Sequence, residues 1–158
     1  ARFLFAEKAV VTLHDGRRSL MFRLANERLN PIINPSAKAW LATTVVTAEG
    51  ETFRRFLELP LVRAQSPLFQ LSWTIMHEVD GKSPLSGLDA EALAAMQGAI
   101  LVSVEGHDET SAQTVRARKT YQAADVMFGA RFVDVLEPSD SDRVRVNYTK
   151  FHDTESET

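Results

Sequence analysis

The sequence predicts a mainly β protein, an immunoglobulin-like β-sandwich with one short helix. Apolar residues recur with a period of two, and many are β-branched or aromatic, which is typical of half-buried strands. About nine or ten short strands at regular spacing, with a single helix among them, favour a sandwich over a fold of alternating strands and helices. The chain has 158 residues, of which 44% are hydrophobic, so residues 1–158 can bury a core as a single domain.

The clearest local signal is a hairpin near the start of the chain. Ala9–Leu13 and Ser19–Leu24 are apolar runs, and Asp15 and Gly16 between them favour a tight turn joining antiparallel strands. Leu88–Met96 is rich in Ala, Leu, Met and Glu, which predicts the one short helix. Further strands are predicted where apolar and polar residues alternate, over residues 69–77, 99–105, 110–118, 130–136 and 143–148.

Three segments depart from simple alternation. Pro31 and Pro35 interrupt the chain, because proline lacks a backbone donor, so the strand after them is predicted only over residues 37–47. Residues 52–62 alternate with one slip at Arg54 and Arg55, which predicts a β-bulge. Residues 153–158 are polar and acidic, and we expect this tail to be mobile.

Composition excludes several classes of function. The chain has no cysteine, which removes thiol nucleophiles, iron–sulfur clusters and zinc fingers. Its formal net charge is -3, so no overall positive field favours nucleic acid. The longest uncharged run covers residues 92–104, shorter than the roughly twenty apolar residues of a membrane-spanning helix. The first residue is Ala1 and no signal-peptide pattern follows, so we expect the chain to be a piece of a longer protein.

Few residues offer catalytic or metal-binding chemistry. The four histidines lie far apart in the sequence and show no metal-binding spacing, so no metal site is predicted. Motifs for a nucleophile elbow, a phosphate loop or a dinucleotide site are absent. Glu105, His107, Asp108 and Glu109 form an acidic cluster that could serve acid–base or metal chemistry. A solvated turn between two strands is the more frequent role of such a cluster.

Several stretches of the chain carry a family resemblance. They are residues 19–26 (SLMFRLAN), 71–80 (LSWTIMHEVD) followed by 83–85 (SPL), 104–106 (VEG), 117–121 (ARKTY), 129–134 (GARFVD) and 147–154 (NYTKFHDT). In this order and spacing they resemble the cytoplasmic domain of inward-rectifier potassium channels, in particular the bacterial branch. The resemblance implies an immunoglobulin-like sandwich that assembles as a homotetramer around a cytoplasmic pore, beneath a membrane pore domain of the same chain.

The resemblance also implies roles for individual residues. Glu105 matches a pore-lining acid that attracts cations, including magnesium and polyamines in animal members. Glu109 and Arg118 match a carboxylate and an arginine that pair between neighbouring subunits. The loop that narrows the pore is matched by Gly106, His107, Asp108, Glu109 and Ala112. The resemblance implies a channel domain without catalysis and without a cofactor.

Partners follow from the same resemblance. Arg28, with Arg2 at the edge of the site, matches a basic position coupled to anionic phosphoinositide lipid. Potassium is the implied permeant ion, and the domain would lie on the cytoplasmic side of the cell membrane. Strongly rectifying animal channels carry pore acids at or near the positions of Asn34, Leu61 and Gln65, so a weaker block by multivalent cations is expected. The selectivity filter does not lie in these residues.

Two other functions remain open from the residues alone. A β-sandwich that binds a sugar or a peptide, with no channel role, would expose Trp40 or Trp73 on one face. A β-fold enzyme would use Glu105, His107 and Glu109. Fourfold assembly would distinguish the channel domain from both.

Overall fold

Most of the described chain lies in short, mostly antiparallel strands. The structure is a computed structural model and describes residues 3–27, 30–63, 68–69, 72–138 and 144–158. The strands in these ranges are β1 Phe3–Phe5, β2 Ala9–His14, β3 Arg17–Asn26, β4 Ile32–Val46, β5 Thr52–Glu58, β6 Leu68–Phe69, β7 Ser72–Glu78, β8 Ala99–Asp108, β9 Gln113–Gln122, β10 Val126–Phe128, β11 Ala130–Phe132, β12 Leu136–Pro138, β13 Val144–Val146 and β14 Thr154–Ser156. Within the same ranges, one α-helix, α1, spans Ala90–Ala95, and short 3₁₀ helices span Ala123–Asp125 and Tyr148–Lys150. The mainly β fold predicted from the sequence is confirmed.

β3 is the central strand of the first sheet. Along one edge of β3, β2 pairs with its first residues and β1 pairs with its last residues. β7 pairs with β3 along the other edge. β10, which the sequence does not predict, joins β2 in parallel. The predicted hairpin is confirmed, because β2 and β3 stay paired down to His14 and Arg17. Asp15 and Gly16 have φ values of 52° and 74°, as a two-residue turn that follows the strand twist requires.

β4 organises the second sheet, whose order is β5, β4, β8, β9, with β6 beside the start of β4. β4 begins at Ile32, so the prediction of a strand only from Ala37 is wrong. The strand passes Pro35 because a bulge lies there: the pairing with β8 shifts after Ile33, and Asn34 has a φ of 50°. A bulge leaves the proline outside the ladder of hydrogen bonds, and the strand therefore continues across it.

β5 lies at the edge of the second sheet. Its pairing with β4 runs unbroken from Thr52 to Glu58, so the prediction of a bulge at Arg54 and Arg55 is wrong. Every residue of β5 except Leu57 is exposed. An edge strand exposed on both sides has no core face to impose alternation, so its irregular order of apolar and charged residues needs no bulge.

The core lies between the two sheets. The inward side chains of β3, Leu20, Phe22 and Leu24, are fully buried and form one cluster with residues of β4, β8 and β9. Phe22 stacks on Tyr121, with ring centroids 5.6 Å apart. The Tyr121 hydroxyl donates to the carbonyl of Ala6 at 2.8 Å, and burial raises the pKa of this hydroxyl. The two sheets share one apolar interior, as the predicted sandwich requires.

α1 begins where the sequence predicts a helix. Asp89 is the N-cap, and its side chain accepts a hydrogen bond from the N–H of Ala92 at 2.8 Å. Leu93 is buried in the core cluster. The helix predicted over Leu88–Met96 is confirmed, with its regular part limited to six residues.

His77 ties the end of β7 to two loops. Its Nδ1 donates to the carbonyl of Pro60 at 2.7 Å, and its Nε2 accepts from the hydroxyl of Ser83 at 2.6 Å. A carbonyl oxygen can only accept, so Nδ1 carries the hydrogen. Ser83 Oγ in turn accepts from the N–H of Leu85 at 3.0 Å. This histidine and serine belong to the stretches 71–80 and 83–85 of the family resemblance, and both are buried, so they have a structural role here.

The C-terminal part of the chain covers the outer side of the first sheet. There β11 pairs with β14, β12 pairs with β13, and a second apolar cluster contains Ala6, Ala25, Val135 and Phe151. We call the described part, residues 129–138 and 144–158, the C-terminal layer. Because it covers the outer side, β3 is buried on both faces along most of its length.

The tail for which the sequence predicts mobility includes β14. Glu157, next to that strand, accepts hydrogen bonds at 2.9 Å from the N–H of Leu13 and from the hydroxyl of Thr12. These hydrogen bonds lower the pKa of the Glu157 carboxyl. The structure therefore places residues 154–156 in a paired strand, and the mobility of the tail stays a prediction.

Arg23 holds the C-terminal layer against the first sheet. It lies on the outer side of β3 and is only 4% exposed. Its guanidinium donates hydrogen bonds to the backbone carbonyls of Val133, Lys150 and Phe151. Its Cζ lies 4.6 and 5.1 Å from the ring centroids of Phe132 and Phe151. Burial lowers the pKa of this guanidinium to about 10, so it is still charged at neutral pH and makes charge-assisted hydrogen bonds.

Replacing Arg23 by Met should destabilise the fold by about 2–4 kcal/mol, because buried carbonyls lose a charged donor while the side-chain volume is nearly kept. Urea unfolding followed by the fluorescence of Trp40 and Trp73 measures the change. Arg131→Met is the matched control, since Arg131 Nε lies 2.9 Å from Glu155 Oε1 in an exposed ion pair and should contribute under about 1 kcal/mol. Equal losses of stability in the two variants would contradict the role of Arg23.

Candidate functional site

The side chains of β4, β8 and β9 that point away from the core form one surface, which we call the outer face. Side chains alternate across a strand, and the neighbours of the outer-face residues, such as Ala39 and Val104, are buried. Cross-strand pairing arranges the outer face in rows, which are Ser36, Glu105 and Arg116; Lys38, Ser103 and Arg118; and Trp40, Leu101 and Thr120.

Glu105 lies exposed on the outer face and pairs with Arg116. Glu105 Oε2 lies 3.1 Å from Arg116 Nε, and the two side chains are 53% and 75% exposed. They are direct neighbours across β8 and β9, a position in which opposite charges attract each other. Lys38 and Arg118 in the adjacent row are also exposed. The predicted pore-lining acid thus has one basic neighbour in its own row and two in the adjacent row.

The segment predicted as a pore-narrowing loop is the end of a β-hairpin. β8 and β9 stay paired as far as Asp108 and Gln113. Gly106, His107 and Asp108 therefore belong to β8, and only residues 109–112 connect the two strands. The predicted strand limits at Glu105 and Thr110 are wrong, because the ladder of hydrogen bonds continues through the acidic cluster.

Asp108 stabilises this turn. It is fully buried, and its Oδ1 accepts hydrogen bonds from the N–H groups of Thr110 and Ser111 at 2.9 and 3.2 Å. Such a side-chain bond two or three residues ahead is the usual way in which aspartate stabilises a turn. Ala112 completes the connection with a φ of 56°. Of the predicted acidic cluster, Glu105 and Glu109 are the exposed carboxylates.

Glu109 and Arg118, the pair predicted to join subunits, are both exposed. Glu109 lies in the turn, where its N–H donates to the carbonyl of Pro31 at 3.3 Å. Arg118 lies opposite Ser103, five residues along the hairpin from Asp108, which is about 16 Å. This separation keeps the two charges apart within one chain, and no ion pair joins them there.

Other residues from the sequence prediction lie elsewhere. Arg2, Arg28 and Gln65 are outside the described residues. Asn34 is exposed in the bulge of β4, and Leu61 packs partly buried against the core. The structure therefore places Glu105 on the outer face, and the pore-lining and lipid-coupling roles stay predictions.

The residues named for a ligand-binding module or for an enzyme do not come together in the fold. Trp73 packs against the core, whereas Trp40 is half-buried on the outer face, where it lines a cavity of about 190 Å³ with Arg118 and Lys119. Glu105 is hydrogen-bonded to Arg116, and no hydrogen bond joins it to His107 or Glu109. Among the residues that the structure describes, no three His, Asp or Glu side chains form a group that could hold a metal ion.

Arg116 is the member of this site that the sequence prediction does not single out. In the sequence it is part of the basic run 116–119, which is typical of a solvated strand face. The hairpin register is the signal that could identify it, because Glu105 must face Arg116 once Asp108 faces Gln113. That register depends on the length of the turn, and the sequence places the turn too early.

Comparison with known proteins identifies the class of this domain. The family described as inward rectifier potassium channel C-terminal domain matches residues 3–158, so the chain belongs to that family and the resemblance seen in the sequence is confirmed. The chain is 39% identical over 153 residues to the inward rectifier potassium channel Kirbac3.1 of Paramagnetospirillum magnetotacticum, covering 97% of this chain and 52% of that protein.

Animal relatives are also similar. Identity is 34% over 155 residues to the ATP-sensitive inward rectifier potassium channel 12 of Mus musculus, covering 96% of this chain and 36% of that protein. It is again 34% over 155 residues to the inward rectifier potassium channel 4 of Homo sapiens, covering 96% and 35%. The chain thus spans about half the length of the bacterial relative and about a third of the animal ones. In the described ranges, no helix has both the length and the apolar character needed to cross a membrane.

Gly106 stands where β8 passes the bulge of β4. A Cβ atom at this position would lie 2.4 Å from Ile32 Cγ2 and 3.4 Å from Pro35 Cα. Glycine therefore permits the close approach of the two strands beside Glu105.

Gly106→Ala should destabilise the domain by about 1–3 kcal/mol, because the added methyl group cannot fit unless Ile32 moves. Urea unfolding measures the loss. Gly81→Ala is the control, since a Cβ at Gly81 meets nothing within 4 Å and the residue has no positive φ. If both variants unfold at the same urea concentration, the close approach at Gly106 does not constrain the fold.

Proposed function

We propose that the chain is the cytoplasmic pore and gating domain of an inward-rectifier potassium channel, extending the ion path below the membrane and collecting cations. One observation carries the proposal: Glu105, which matches the family's pore-lining acid, is exposed on the outer face. Membership of the family over residues 3–158 and the names of the relatives, which are channels, support it. The proposal assigns potassium as the permeant ion, a location on the cytoplasmic side of the membrane, and no catalysis.

A homotetramer is needed for Glu105 to act on ions. In water, one carboxylate attracts a monovalent cation 4 Å away by only about 1 kcal/mol, and salt screens the attraction beyond about 8 Å. A cyclic tetramer places four copies of Glu105 around one axis, where their potentials add within a narrow lumen. Each of these carboxylates attracts cations, and it attracts magnesium and polyamines more strongly than potassium, because their charge is higher.

Contact between subunits would involve the turn of the β8–β9 hairpin. Arg118 lies on β9 about 16 Å along the hairpin from Asp108, the residue before Glu109, so we expect Glu109 and Arg118 to pair with each other between copies of the chain. In a cyclic assembly the same contact recurs at every interface. The pair would then hold the hairpins next to the ion path.

Gating would depend on the membrane pore domain that the proposal places in the same full-length chain. A movement of the cytoplasmic ring can bias that domain only if the two states of the pore differ in their contacts with the ring. We assign the coupling with anionic phosphoinositide lipid to Arg28 and Arg2, on the basis of the family match. The block by multivalent cations should be mild, because Asn34 stands in place of a second acid.

Glu105→Gln in the full-length channel, reconstituted in lipid, tests the ion path. The change should raise the half-blocking concentration of internal magnesium or spermine about threefold to tenfold, because four negative charges leave the lumen. Potassium-over-sodium selectivity should not change, since filter carbonyls set it, and the effect should shrink at high salt. Glu155→Gln is the control, as Glu155 is 49% exposed in an ion pair on the C-terminal layer.

Current–voltage curves at low salt that are the same for Glu105→Gln and the unchanged channel would exclude Glu105 from the ion path. Adding an acid at Asn34 is a weaker test, because its φ of 50° suits Asn better than Glu.

The pair proposed between subunits is tested by assembly. Glu109→Gln and Arg118→Gln should each weaken the tetramer by about 3–5 kcal/mol if assembly buries the pair, because one charge is left without its partner. Exchanging the two residues, Glu109→Arg with Arg118→Glu, should restore assembly. Light scattering over a range of protein concentrations measures it, with Arg131→Gln as a control on the C-terminal layer. Single variants that assemble normally would contradict the pair, and a closed dimer at all concentrations would contradict the pore.

A further inference from the structure

The charge of Glu105 is compensated within its own chain. Arg116 Nε donates to Glu105 Oε2 at 3.1 Å, and both side chains are more than half exposed. The pairing follows from the hairpin register, which places the two residues directly opposite each other on the outer face. Any surface that exposes Glu105 to an ion path must therefore expose Arg116 to it as well.

The surroundings of this ion pair are basic. The Ser36 row of the outer face contributes Glu105 and Arg116, and the adjacent row contributes Lys38 and Arg118. Asp108, the nearest other acid on β8, is buried and accepts hydrogen bonds from the turn. These two rows therefore hold one carboxylate and three basic side chains.

Compensation changes the field that an ion meets. The potential of a paired acid and base falls off faster with distance than the potential of a lone carboxylate, because the two charges oppose each other. A ring of four such pairs has no net charge, whereas a ring of four lone carboxylates has a charge of about -4. The difference matters most for magnesium and polyamines, since the interaction energy scales with the charge of the ion.

The ion pair is not needed for folding. Exposed pairs of this kind contribute little to stability, and Arg116 has no other hydrogen bond to a side chain in the described chain. A change at Arg116 can therefore alter the electrostatics of the outer face while leaving the sandwich intact.

We propose that Arg116 is a specificity-determining residue of this domain: by pairing with Glu105 it neutralises the acidic ring and keeps the block by multivalent cations weak. This inference rests on the proposed function, since it requires Glu105 to face the ion path. The positive charge of Arg116 repels a passing cation, and it also offsets the negative charge of Glu105.

The test compares Arg116→Gln, Glu105→Gln and the double variant with the unchanged channel, full-length and reconstituted in lipid. The measured quantity is the half-blocking concentration of internal spermine at low ionic strength. The four copies of the Glu105 and Arg116 positions would together carry a charge near zero in the unchanged channel, about -4 in Arg116→Gln, about +4 in Glu105→Gln and near zero in the double variant, while Lys38 and Arg118 are the same in all four. Arg116→Gln should therefore lower the half-blocking concentration about threefold to tenfold, Glu105→Gln should raise it, and the double variant should match the unchanged channel.

Arg131→Gln is the matched control. Arg131 pairs with Glu155 through the same kind of contact, Nε to Oε1 at 2.9 Å. This pair belongs to the C-terminal layer, which packs against the first sheet and not against the outer face. The control removes the same charge from each subunit and should leave the block unchanged. An equal response to Arg131→Gln and Arg116→Gln would overturn the inference, because overall charge would then explain both.

The outcomes separate this inference from the function on which it rests. If Glu105→Gln weakens the block and Arg116→Gln does nothing, Arg116 has no role and the pore function stands. If the double variant behaves like Glu105→Gln, the two residues do not compensate each other, which also overturns the inference. If none of the variants changes the block at low salt, Glu105 does not line the path and the proposed function fails as well.

Discussion

The position of β8 between β4 and β9 is the constraint on which the outer face depends. β8 pairs with both neighbours along nearly its whole length, so neither neighbour can slide alone. Its inward residues Ile100, Val102 and Val104 are almost completely buried. A shift of one residue would turn these side chains to solvent and Glu105 into the core, at a large cost in free energy. Apolar packing on one side of the strand therefore determines the direction of the charges on the other.

The bulge of β4 shows how the same sheet accommodates an irregular segment. Pro35 cannot donate to the ladder of hydrogen bonds, and the positive φ of Asn34 moves the chain past it. Opposite the bulge, Gly106 leaves the space that Ile32 occupies. Asn34, Pro35 and Gly106 thus form one local arrangement, and it lies directly beside Glu105 on β8. The backbone near the candidate site is consequently defined by packing as well as by hydrogen bonds.

The first sheet is covered from the opposite side by the C-terminal layer. Arg23 joins the two through charge-assisted hydrogen bonds to backbone carbonyls, and aromatic rings cover its guanidinium. A buried cation is tolerated there because carbonyl oxygens replace the water that it loses. Core packing joins the two sheets, and Arg23 joins the first sheet to the C-terminal layer. The first sheet is thus covered on both sides, whereas the second sheet exposes its outer face. The outer face is therefore the exposed side of the second sheet, and the proposed function places the ion path there.

The sequence by itself determined the features that depend on neighbouring residues. Asp15 and Gly16 specify the first hairpin, Asp89 specifies the start of the helix, and alternation specifies the β class, because turns, caps and strand faces are local. The resemblance to the family indicated Glu105 as a pore-lining acid, and this role stays a prediction. Tertiary structure decided the start of β4, the regular pairing of β5, the strand β14 and the partner of Glu105. Each of these depends on which strand lies alongside, and pairing between residues distant in sequence leaves no signal in the local pattern. Arg116 lies only eleven residues from Glu105 in the sequence, but the two face each other only in the register that the turn at residues 109–112 sets, and the sequence places that turn too early.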